Sequence, residues 1–141
     1  MKKQGRRLAG ILILGVLLVA ALAACGSGKS SVDVTLTGDY QIQLASSTAS
    51  AGEVTFNIEN TAQDVEHEFV IVKTDLSPSD FPTDDNGDVP EDQVDIVTEQ
   101  EAIEPGTSAT LVANLEAGHY VLMCNLPGHF MQGMYAEFTV Q

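Results

Sequence analysis

The feature that most restricts the fold of this chain is a period of two. Between residues 54 and 59 the apolar Val54, Phe56 and Ile58 alternate with Thr55, Asn57 and Glu59. Successive side chains of a strand point to opposite faces, so such a segment buries one face and wets the other. Residues 32–36 and 40–44 alternate in the same way, and Thr37-Gly38-Asp39 between them predicts a hairpin. A strand beginning at His67 turns apolar on both faces towards Val72. Residues 107–115, 120–124 and 134–140 add three more, divided by Pro105-Gly106 and Glu116-Ala117-Gly118, and Val94, Ile96 and Ile103 mark a weaker one. Seven to eight short strands, regular turns, no long helical pattern and no internal repeat predict an all-β sandwich. Residues 45–52 are small and polar and read as a loop. Residues 75–92 hold Pro78, Pro82, Pro90, Gly87 and seven acidic side chains, which predicts a long solvated excursion with a helical turn near Ser79. Asp84, Asp85, Asn86 and Asp88 crowd together there, but not at EF-hand spacing.

The start of the chain is of another kind. Lys2, Lys3, Arg6 and Arg7 precede an unbroken apolar run over residues 8–24, the pattern of an export signal. The run is short for a spanning helix, which needs about 20 residues. Its end, Leu22-Ala23-Ala24-Cys25, resembles the lipobox of bacterial lipoproteins, in which the signal is cut before the cysteine and that cysteine is acylated. The resemblance implies a signal peptide over 1–24, lipidation at Cys25, and an extracytoplasmic domain anchored to the cell membrane or envelope. Residues 25–31, rich in Gly, Ser and Lys, read as a flexible tether, and 32–141 as the folded domain. Four of the six basic residues precede Cys25 and all twenty acidic ones follow it. A surface with two cations against twenty anions repels nucleic acid, and it fits equally an adaptation for solubility or high salt and a means of steering towards a basic partner.

Cysteine use sharpens the chemistry. There are two cysteines, and with Cys25 acylated Cys124 has no disulfide partner in an oxidising compartment. It opens the run Cys124-Asn-Leu-Pro-Gly-His129-Phe-Met-Gln-Gly-Met134, in which one loop brings a thiolate, an imidazole and a thioether together. That soft donor set suits copper, and a second imidazole would complete a His₂Cys plane with a weak axial Met. His119 lies five residues before Cys124 on one strand, about 16 Å away at 3.3 Å per residue. His67, on a separate strand, is the candidate.

The segment resembles the ligand loop of the cupredoxins, small blue-copper electron-transfer proteins. The C-x4-H-x4-M spacing, Pro127-Gly128 before the histidine, and Glu66-His67-Glu68-Phe69 carry the likeness, which extends over residues 32–141. It implies a Greek-key sandwich binding one copper ion near one pole through His67, Cys124, His129 and Met134, with Met131 fitting the family spacing poorly. It also implies a monomeric one-electron carrier rather than an enzyme, meeting a redox partner such as a basic cytochrome or oxidase. Copper delivery or storage would use the same ligands. Three histidines in all leave no material for a second, catalytic copper site. Leu126, Pro127, Phe130 and Met131 are expected to frame an apolar docking patch around His129. One departure stands out: many cupredoxins carry Asn or Ser after the first histidine, and here it is Glu68.

Overall fold

A computed structural model describes residues 28–141; the expected signal 1–24 and the expected lipid site Cys25 lie outside the described residues. The chain forms nine strands: β1 (Gly28–Leu36), β2 (Ile42–Leu44), β3 (Thr48–Ala49), β4 (Gly52–Asn60), β5 (His67–Lys73), β6 (Asp95–Ile103), β7 (Ser108–Leu115), β8 (Gly118–Met123) and β9 (Tyr135–Val140). They make two mixed sheets, ordered β2-β1-β4-β7 and β3-β9-β8-β5-β6. Strands β5 and β8 are neighbours although two strands separate them in sequence, the Greek-key crossing of a sandwich.

The alternation reports the buried faces faithfully in the first sheet. In β4, Val54, Phe56 and Ile58 are buried and Glu53, Asn57 and Glu59 exposed, and β1 and β7 present Val32, Val34, Leu36, Leu111, Ala113 and Leu115 to the same core. The expected hairpin is present as β1 and β2, pairing Val34 with Leu44 and Leu36 with Ile42.

Three expectations need correction. Gly28–Ser31 are not tether but the first part of β1, running parallel to β4 with Gly28 opposite Gly52; the backbone ladder, not side-chain pattern, recruits them. The loop at 45–52 contains β3, two residues held parallel to β9, too short to show a period. The acidic excursion is only partly solvated. It carries the expected single turn at Pro78–Asp80, but it also folds over the outer face of the second sheet. Phe81, Val89 and Phe130 bury Val70, Val72, Val121 and Met123 in a second apolar cluster. That cover explains why β5 and β8 are apolar on both faces: both faces are dry.

Candidate metal centre

At one pole of the sandwich, three elements meet. His67 is the first residue of β5, Cys124 follows β8 immediately, and His129 lies on the loop between β8 and β9. Cys124 Sγ lies 3.2 Å from His129 Nδ1 and 4.0 Å from His67 Nδ1, and the two Nδ1 atoms are 3.3 Å apart. Among the described residues this is the cluster of histidine, cysteine and acidic side chains whose donor atoms lie close enough to hold a metal. The point equidistant from three atoms so spaced is about 2.1 Å from each, the length of a bond from a first-row metal to nitrogen or sulfur. By distance the three donors fit one first-row metal ion, and their softness suits copper.

The loop reaches this geometry through its glycines. Gly128 and Gly133 adopt φ of 79° and 91°, left-handed conformations that place His129 and Met134 directly after a reversal of the chain. Neither has a neighbour that a Cβ would strike, so backbone conformation alone requires glycine. The Met134 carbonyl accepts the Cys124 N–H at 3.0 Å, and the His129 carbonyl accepts the Met134 N–H at 3.2 Å. Met134 is fully buried in the cluster that holds Cys124. Met131 is 68% exposed and packs against Gly87, so Met134 is the methionine that would complete the donor set.

The two imidazoles are prepared differently. His67 is fully buried, and its Nε2 meets the Thr37 carbonyl at 3.0 Å. Donation there fixes the tautomer and leaves the Nδ1 lone pair facing the other donors. Burial lowers its pKa; the Thr37 bond opposes this, and the neighbouring His129 adds to it. His129 is half-buried, and burial lowers its pKa against the pull of Asp88. Both rings are thus held neutral, as ligands must be. Burial pushes the Cys124 thiol up to about 11, countered by backbone N–H groups of Glu68 and Leu126. A cation at the site reverses that preference, so metal binding expels the thiol proton.

Glu68 performs the work of the missing amide or hydroxyl. Its N–H points at Cys124 Sγ across 3.4 Å, and its carboxylate accepts the Asn125 N–H at 2.8 Å. Burial raises its pKa against that bond, with Glu99, Glu91 and Glu101 adding to the rise. Asn125 in turn grips the excursion through both ends of its amide, accepting from the Val89 N–H at 2.8 Å and donating to the Val89 carbonyl at 2.9 Å. Asp88 accepts the Gly128 N–H at 2.7 Å. Sequence pattern does not single out Thr37, Asn125 or Asp88 as parts of the site, since each acts across a long sequence separation. His119 stands apart, bonded to the Thr74 carbonyl at 2.8 Å.

Phe130 does not frame a docking patch. It is 5% exposed and stacks on Phe81 with ring centres 5.7 Å apart. Of the four residues expected there, Pro127 and Met131 are exposed, and Leu126 is half-buried.

Residues 15–141 match the sulfocyanin (SoxE) domain family. The chain belongs to this family of cupredoxins. Comparison with curated protein sequences finds no match, whereas many solved structures share the fold. Dithionite-reduced auracyanin from the photosynthetic bacterium Roseiflexus castenholzii is 23% identical, with a TM-score of 0.61, over 82% of this chain and 99% of that one. Rusticyanin from Thiobacillus ferrooxidans is 19% identical at a TM-score of 0.60, over 82% and 79%. Auracyanin A from Chloroflexus aurantiacus, described as a "blue" copper protein, is 19% identical at 0.56, over 81% and 100%. The cofactor of the family site is one copper ion, and His67, Cys124, His129 and Met134 are placed as a single type-1 centre requires.

Proposed function

We propose that this chain is a mononuclear blue-copper electron carrier, held at the outer face of a bacterial membrane through Cys25. The observation that carries the reading is the convergence of Cys124 Sγ and the two Nδ1 atoms on one point. Copper bound there supplies a one-electron Cu(I)/Cu(II) couple. The protein's part is to hold the donors still. Cys124, His67 and Met134 are fully buried, so water is excluded, and the close set of two imidazoles and a thiolate with Met134 beside it would suit copper in both oxidation states. His129 is the one partly exposed member of the four and serves as the port for the electron. The acidic surface favours a basic redox protein as partner.

The membrane anchor rests on the lipobox-like run ending at Cys25. Carrier rather than enzyme is the reading because two of the three histidines are used by the site and the third, His119, bonds to Thr74. Adding Cu(II) to the chain expressed from residue 26 should give an intense thiolate-to-copper absorption and a reversible one-electron wave. A colourless product with a titratable thiol would sink the reading, and rapid copper loss to a chelator would turn it towards copper delivery. Palmitate labelling that survives in the wild type and vanishes in Cys25→Ala tests the anchor.

A further inference from the structure

The turn joining β1 to β2 is built in an unfavourable way. Residue 40 sits at φ 60°, the left-handed region, which costs a bulky residue roughly 1 kcal/mol. Glycine suits such a position, and this turn does contain one. Yet Gly38 has no positive φ, while Tyr40 stands where glycine would be unstrained. The turn itself is well closed: the Thr37 carbonyl accepts the Tyr40 N–H at 3.2 Å, and the Gln41 carbonyl accepts the Thr37 N–H at 3.0 Å. None of those bonds requires an aromatic side chain.

The tyrosine ring packs against the edge of the first core cluster and, beyond that, touches the metal centre. Its ring centre lies 4.8 Å from that of His129 with the planes at 72°, and 6.3 Å from that of His67 at 81°. Both are edge-to-face arrangements. One turn therefore governs both imidazoles, His67 through the Thr37 carbonyl and His129 through the Tyr40 ring. His67 is fixed by a strand as well as by that bond. His129 sits on a loop, and its side-chain polar contacts among the described residues are to the other two donors. The Tyr40 ring is thus the lateral wall that limits rotation of the His129 imidazole.

We propose that Tyr40 is a positioning residue of the copper centre, kept in a strained turn so that its ring holds the His129 imidazole in the ligating orientation. This rests on the copper reading above. The test uses the full chain loaded with copper and three variants. Tyr40→Gly and Tyr40→Asn both suit a positive φ and both remove the ring; Tyr40→Phe keeps the ring. Loss of a group that orients a ligand typically costs 10–100-fold in metal affinity, so Tyr40→Gly and Tyr40→Asn should surrender Cu(I) to a chelator at least about tenfold faster. Their copper EPR spectra should change, and Tyr40→Phe should match the wild type. The metal-free Tyr40→Gly protein exchanges the ring's packing against the core for relief of turn strain, so any fall in its melting temperature should be too small to account for the copper loss.

Wild-type copper retention and EPR in both ringless variants would overturn the proposal. So would loss in Tyr40→Phe equal to that in Tyr40→Gly, or a fall in metal-free melting temperature in both ringless variants that accounts for their copper loss. A wild-type protein that takes up no copper would instead defeat the copper reading, a result distinguishable from all of these.

Discussion

His67 and His129 offer the same atom, Nδ1, to the same point, yet the two halves of the site are held by opposite means. On the sheet side, His67 opens β5, is wholly buried and donates to the Thr37 carbonyl. At the end of β4, Asn60 is buried and donates to the Val65 and Ile103 carbonyls at 2.9 and 2.8 Å, tying the connection into β5 to the residue that pairs with His67. On the loop side, His129 is half-exposed and follows a left-handed glycine. Its loop is steadied from outside by Val89, Asp88 and Phe81 of the acidic excursion. A centre that must keep its geometry and still exchange electrons needs both: a rigid buried base and one ligand near the surface. The contrast teaches that the excursion is structural, a brace for the exposed half.

Removing each imidazole should separate the halves most sharply. His67→Gly and His129→Gly should both lose the blue absorption. Added imidazole should restore it in His129→Gly, whose cavity opens near the surface, and fail in His67→Gly; equal rescue of both would erase the distinction. Next in size is the brace. Phe130→Glu buries a charge against Phe81 and Val89 and should cost about 3–5 kcal/mol of stability, read by chemical denaturation of the metal-free protein. Met131→Glu, two-thirds exposed, should stay within about 0.5 kcal/mol. Similar losses in the two would mean that the excursion does not pack on the loop.

Asn125→Ala leaves the Val89 N–H and carbonyl without their partner and should cost about 1–3 kcal/mol. Faster amide exchange should follow at Val89 and Gly128 but not at His67. The smallest effect belongs to Glu68, which serves both halves. Glu68→Gln keeps a carbonyl acceptor for Asn125 but removes a negative charge beside the thiolate. Cu(I) should be favoured by roughly 1 kcal/mol, a potential higher by on the order of 40 mV. Burial raises the Glu68 pKa, so in the wild type the carboxylate is neutralised as pH falls and the potential should climb; in Glu68→Gln that part of the slope should vanish. A lower potential in Glu68→Gln would place the charge outside the site's electrostatics.

Much of this was legible because it is local. Strands such as β4 and β7 announce themselves by period, and Cys124, His129 and Met134 lie within one short loop whose glycines enforce its shape. His67 follows by elimination, since His119, on the strand that leads into Cys124, is out of reach. The brace reads as solvated in the sequence because Phe81 and Val89 are isolated apolar residues among prolines and carboxylates, with no periodicity to betray that they meet Phe130. The burial of Phe130 is hidden in the sequence for the same reason. Gly28–Ser31 and β3 are not legible as strands because backbone pairing with β4 and β9 leaves no mark on side-chain pattern.

By itself the sequence determined the alternating strands, the soft donors and their order along the chain, since these depend on neighbours a few residues apart. Only the tertiary structure decided what holds the donors: the Thr37 carbonyl on His67, the Tyr40 ring on His129, and Glu68 standing in for an amide. It also decided that Met134 rather than Met131 is buried beside Cys124. Those contacts join residues from about 10 to more than 80 positions apart, and chain folding, not local preference, sets which of them come within hydrogen-bonding or packing distance.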